Sequence, residues 1–134
     1  MAKLKKFRQD TGKEVEGVWV PFEDGIEFLI ANVNSKRFQD YLRKITKPHL
    51  RMIRNGTAAH GLQTSLFKNA ASKYLVLGWK NIENEDGSDL EYSPDACLEI
   101  FNDEELRPIF EFVVEAANAG ELFRQEFDDE SEGN

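Results

Sequence analysis

The sequence predicts a mainly α protein, α+β at most, with five or six helices in a compact domain behind one short N-terminal β-hairpin. Three observations lead there. Leu62, Leu66, Ala70, Tyr74 and Leu77 recur at the helical period. Pro48 and Pro94 each stand where a helix can begin, since a first-turn residue needs no amide donor. Asp24-Gly25 separates two runs rich in β-branched and aromatic residues, and glycine accepts the positive φ of a tight hairpin turn.

Taken in order, residues 1–13 are basic and polar, with Leu4 and Phe7 as the large apolar side chains, and read as a flexible arm. Val15 to Phe22 and Ile26 to Ala31 form the hairpin, and Pro21, unable to donate to a ladder, assigns the first strand to an edge. Asn34 or Ser35 caps a helix to about Ile45, with Phe38, Leu42 and Ile45 as its apolar stripe. A short helix from Pro48 carries Leu50 and Ile53 and stops at Asn55-Gly56. Thr57 then caps the long helix, which ends at Gly78. Residues 81–92 read as a polar surface loop. Ser93-Pro94 opens a helix with Cys97, Leu98, Ile100 and Phe101. Asn102 or Asp103 begins the next element, Asn102 and Glu105 having capping-box spacing, and Pro108 marks the start or bend of a last helix bearing Ile109, Phe110, Phe112, Val113 and Ala117. Leu122, Phe123 and Phe127 dock as a final turn. The organisation is an arm over 1–13, one domain over 14–127 and a disordered acidic tail over 128–134.

Composition narrows the function. The chain has 134 residues, one cysteine and a formal charge of −8, with 40% hydrophobic residues and ten Phe, enough for a core. Cys97 alone forms no intramolecular disulfide and no cysteine zinc cluster. The basic N-terminus is followed by no apolar run, so a soluble, cytoplasmic protein without a membrane partner is expected. The charge is unevenly spread: −1 over residues 1–35, +9 over 36–80 and −16 over 81–134. Three readings follow. The two halves neutralise each other within one molecule. Alternatively, Lys36, Arg37, Arg43, Lys44, Arg51 and Arg54 of one copy meet Glu99, Glu104, Glu105, Glu111 and Glu115 of the next, head to tail. In the third, the middle is a nucleic-acid patch masked by the acidic half, which the net charge disfavours.

Nothing in the sequence argues for an enzyme, a cofactor or a metal. His49 and His60 lack metal-ligand spacing, Ser65 and Ser72 lack a nucleophile elbow, and no glycine-rich phosphate loop occurs. Gly87 is misplaced for a calcium loop around Asp86, Asp89 and Glu91. Cys97 lies in an apolar run, as an inert buried thiol does. Trp19 and Trp79 are either core residues or interface anchors.

The segments Tyr74-Leu75-Val76-Leu77-Gly78-Trp79-Lys80-Asn81-Ile82, Glu85-Asp86-Gly87 and Tyr92-Ser93-Pro94-Asp95-Ala96, in this order, resemble the tail assembly chaperones of long-tailed bacteriophages. Gly17 to Phe22, Phe28 to Ala31, Phe110 to Val113 and Glu121 to Phe123 extend the resemblance across roughly 14–127. It implies a protein of the host cell cytoplasm that binds the tape measure protein and the major tail protein. It would keep the tape measure soluble during tail tube assembly and be absent from the mature tail. It also implies spiral head-to-tail self-association. A longer form made by ribosomal frameshifting is implied too, and Glu132-Gly133-Asn134 has a spelling that contains a slippery heptamer. Trp19, Phe22, Trp79, Ile82 and Tyr92, which flank loops and element ends, are the candidate partner contacts. The competing readings are a nucleic-acid-associated regulator using residues 36–54 and a structural tail component retained in the virion.

Overall fold

A computed structural model describes residues 1–126. Phe127 and the acidic tail over 128–134, expected as a docked turn and a disordered end, lie outside the described residues. The described residues form an α+β domain of six α-helical segments, four of them nine residues or longer, and a three-stranded antiparallel sheet.

The N-terminal segment differs from the expected arm. After a 3-10 turn at Leu4–Phe7, Asp10 accepts from the amides of Gly12 and Lys13 and so caps a helix, α1 (Thr11–Glu16). The Asp10 amide donates to the Phe123 carbonyl at 2.7 Å, and the Gln125 amide donates to the Arg8 carbonyl at 2.9 Å. Residues 8–13 are therefore held by backbone bonds to the far end of the chain. Val15 and Glu16, expected in a strand, are the last turn of α1. Gly17 then turns the chain at φ 85°, ψ 167°, a region open essentially to glycine alone. A Cβ there would stand 3.1 Å from the Ile30 carbonyl oxygen.

The hairpin forms as the sequence predicts. β1 (Val18–Pro21) pairs with β2 (Glu27–Ile30), and Asp24 and Gly25 take φ 54° and 80° in the turn. Beyond β2 the sheet gains β3 (Val76–Lys80), leaving β1 with Pro21 as an edge. This corrects the long helix at both ends. Its true extent is Leu62–Tyr74 (α4), and Leu77 and Gly78 belong to β3. Thr57 does not cap it. The Thr57 amide and hydroxyl both donate to the Met52 carbonyl, closing the end of the preceding helix, and Gly61 at φ 81° leads into α4.

Ser35 caps α2 (Lys36–Thr46), and a 3-10 turn containing Pro48 leads into α3 (Leu50–Arg54), followed by Gly56 at φ 70°. Ser93 accepts from the Ala96 amide and caps α5 (Pro94–Asn102). Asp103, rather than Asn102, caps the following 3-10 turn (Glu104–Leu106), because Asn102 is still helical. α6 (Arg107–Asn118) starts with Pro108 in its first turn, and Gly120–Phe123 is a closing 3-10 turn.

α4 lies between α2 and α5, α5 packs on α6, and α6 returns to β2. Their shared core holds Phe28, Ile30, Phe38, Ala70, Ala71, Leu75, Val76, Phe101, Val113 and Ala117. The exit of β2 joins the layers. The amides of Ala31, Asn32 and Val33 donate to the carbonyls of Leu75, Glu14 and Ala117 respectively. The buried Asn32 side chain donates to the Ala117 carbonyl at 3.0 Å and accepts from the Asn34 amide at 2.9 Å. Asn32→Ala removes both side-chain bonds at a buried site; the Ala117 carbonyl keeps the Val33 amide, and the exposed Asn34 amide turns to water. The substitution should lower unfolding stability by about 2 kcal/mol in urea titrations, where replacement of the exposed Asn118 should cost far less.

Candidate interaction surfaces

Position in the sheet separates the aromatic candidates. β1 and β2 alternate, so Val20, Phe28 and Trp79 align on the inner face, while Trp19, Leu29 and Gly78 align on the outer one. Trp79 is 9% exposed, packs edge-on against Phe28 and Tyr92, and donates its indole N–H to the Leu90 carbonyl at 2.7 Å. Tyr92 directs its hydroxyl at the carbonyls of Ser72 and Val76, 2.7 and 2.6 Å away. Trp79 thus lies in the core and Tyr92 is half-buried against it, each with its polar atom satisfied inside the fold. Phe22 is half-buried against the rings of Phe28 and Phe112, and Ile82 is half-buried against the core. Trp19 alone of the five faces outward, 42% exposed, with the Lys80 ammonium 4.0 Å from its ring centroid.

The charged candidates are all exposed: Lys36, Arg37, Arg43, Lys44, Arg51 and Arg54 on α2 and α3, and Glu99, Glu104, Glu105, Glu111 and Glu115 from α5 to α6. The ion pairs among the described residues are local. Arg43 meets Asp40 at 3.0 Å, and Arg107 meets Glu104 and Glu111, each at 3.5 Å. Among the described residues no ion pair joins the basic middle to the acidic half, so the reading of mutual neutralisation by direct contact finds no such contact. Such exposed local pairs contribute little to stability.

Two hollows went unforeseen, because single apolar residues from separate helices line them and no local pattern marks them. One, about 320 Å³, opens between α2, α3 and the start of α4, lined by Leu42, Leu50, Leu66 and Phe67 with Arg43 among its polar lining. The other, about 420 Å³, shares Gln63 and Phe67 with it and reaches Phe110 and Val114 on α6.

The groups with catalytic potential are quiet. Cys97 is buried, and burial pushes its thiol from 9.0 up to about 12, so it stays protonated at neutral pH. Lys73 is raised by its hydrogen bond to the Tyr41 hydroxyl at 3.0 Å and remains an ammonium rather than a nucleophile. Asp86 is lowered by the Ser88 hydroxyl and amide, which close the acidic loop on itself. Among the described residues no group of three or more His, Cys, Asp or Glu could hold a metal ion, and no helix is long and apolar enough to cross a membrane.

The described surface carries an outward tryptophan, an apolar hollow between α2, α3 and α4, and exposed carboxylates from α5 to α6. The chain belongs to the YdaY prophage protein family, whose family model matches residues 33–134. It is thus a phage or prophage protein. None of the curated proteins and none of the solved structures matches it.

Two outcomes follow from the burial pattern. Trp79→Ala should cost about 3–5 kcal/mol, while Trp19→Ala should change stability by about 0.5 kcal/mol or less, both read from urea midpoints. The second concerns pH. The Cys97 thiol and the Tyr92 phenol are both raised in the folded state, the latter by burial. Each thus ionises first in the unfolded chain, which then binds fewer protons. The contribution of these two groups should be constant below about pH 9 and be lost as pH rises from there toward 12. Replacing Cys97 with Ala should flatten the first part of that loss.

Proposed function

We propose that this prophage protein is a tail assembly chaperone. It binds the tape measure protein, with the major tail protein as a second partner, and keeps the tape measure soluble in the host cytoplasm until the tail tube encloses it. It then leaves, so the finished particle lacks it. It works by binding, without catalysis or cofactor.

The observation that supports this reading best is Trp19. A client with long apolar helices is held by large, pre-oriented apolar groups, because little side-chain entropy is lost on contact. Trp19 is such a group: it lies over Leu29 and Gly78, is fixed from above by Lys80, and remains 42% exposed. The prophage family and the ordered motif resemblance to tail chaperones agree with the reading.

The test is co-expression with the tape measure protein of the same prophage, reading soluble yield and co-elution. The wild-type chain should raise both, and Trp19→Ala, folded normally, should lose most of the rescue. An insoluble tape measure with the wild-type chain present would overturn the proposal. A second reading is favoured by the exposed Lys36, Arg37, Lys44, Arg51 and Arg54, none of which has an ion-pair partner among the described residues. If it holds, random duplex DNA binds strongly and the affinity falls steeply with salt.

A further inference from the structure

One face of α2 and the end of α4 form a hollow of about 590 Å³ that shares no lining residue with the two apolar ones. Its lining is Arg37, Asp40, Tyr41, Lys44 and Tyr74. The four α2 residues fall at i, i+3, i+4 and i+7, so one helix face presents them together. The two rings come from different helices and meet at 5.2 Å between centroids, tilted by 53°. Both are half-buried, while Arg37, Asp40 and Lys44 are exposed around them. The Tyr41 ring is oriented in advance. Its hydroxyl donates to the Asn69 carboxamide oxygen at 3.3 Å and accepts from the Lys73 ammonium at 3.0 Å. That ammonium also stands 4.9 Å from the Tyr41 ring centroid.

The site is cationic although the chain as a whole is not. Arg37, Lys44 and Lys73 have no ion-pair partner among the described residues. Asp40, the acid of the lining, is engaged by Arg43 at 3.0 Å, and Asp95 on α5 is the other acid whose charge reaches Lys73. Four cations thus stand against two acids around the rings. Carboxylates more than about 10 Å away are screened at ordinary ionic strength, so the formal charge of −8 does not cancel this local excess. A carboxylate ligand would use the cations and leave the rings idle, and an apolar one would do the reverse. A nucleotide uses both: its flat base stacks on a ring, and its phosphate accepts from guanidinium and ammonium. The volume is also in the range of small-ligand sites.

We infer that this hollow binds a nucleotide unit, its base against Tyr41 and Tyr74 and its phosphate on Arg37 and Lys44. The unit is a free mononucleotide or one nucleotide of a single strand, since a base stacked inside a duplex has both faces covered. The site does not rest on the chaperone reading. It also differs from a duplex-binding patch, which needs the cations and not the rings.

The experiment is calorimetric titration of the full chain at about 0.1 M salt with four probes: ATP, inorganic tripolyphosphate, a ten-nucleotide oligoadenylate and a duplex of the same length. ATP or the oligoadenylate should bind at least about tenfold tighter than tripolyphosphate and duplex, the margin that one stacked base supplies. Compared per nucleotide, equal affinities assign the free nucleotide as the ligand, and a clear preference for the oligoadenylate assigns a strand. Two variants follow. Arg37→Ala with Lys44→Ala alters exposed side chains alone, and Tyr74→Leu keeps apolar bulk against the core. Thermal melts confirm that each is folded, and each should weaken binding at least about tenfold. Three results would overturn the site: no binding of ATP or oligoadenylate at about 1 mM, tripolyphosphate or duplex binding as tightly as both, or unchanged affinity in the Arg37→Ala, Lys44→Ala variant.

Discussion

Everything in this fold converges on three consecutive backbone amides. As the chain leaves β2, Ala31, Asn32 and Val33 donate to carbonyls in three separate places: the junction of α4 with β3, the body of α1, and the end of α6. A buried amide without an acceptor costs more than a typical bond contributes, so each of these elements is held where its carbonyl meets the strand exit. Asn32 reinforces the junction by bonding both the Ala117 carbonyl and the Asn34 amide from a fully packed site. The aromatic layer then fills around a frame already set by polar geometry. Phe28 touches Phe22, Trp79 and Phe112, while Phe67 touches Phe38 and Phe110.

Local chemistry made part of this legible in the sequence. The Asp24-Gly25 turn, the Ser35 cap, the Pro48 turn and the Ser93-Pro94 helix start are each decided by two or three adjacent residues, and each appears where expected. The misses arose where a distant partner decided. Leu75 to Trp79 continue the aliphatic spacing of α4, yet pairing with β2 offers these backbone groups partners and the side chains a buried face, so the strand prevails. Thr57 is a good helix cap by type, but the open carbonyl of Met52 claims it first. Asp10 caps a helix whose value depends on contacts with Phe123 and Arg124, more than a hundred residues away, through the Asp10 amide and the Lys13 ammonium.

The candidate surfaces divide along the same line. Charge asymmetry is a property of the sequence, and the charged candidates among the described residues are exposed, the basic ones on α2 and α3 and the acidic ones from α5 to α6. Exposure of aromatics is decided by strand register: Trp19 and Trp79 look alike in composition, and the pairing with β2 turns one outward and the other inward. The hollow beside α2 was invisible because its lining comes from separate helices.

The amide junction also sets an order on synthesis. A chain emerging from the ribosome exposes Asn32 early, and the Glu14 carbonyl is at hand at once. The Leu75 carbonyl follows some forty residues later, and those of Ala117 and Phe123 some forty to fifty residues after that. Until then the exit of β2 must bond water and the hairpin cannot be sealed. The domain therefore closes as a unit after α6 and the Gly120–Phe123 turn emerge, with the first strands waiting on acceptors far along the chain.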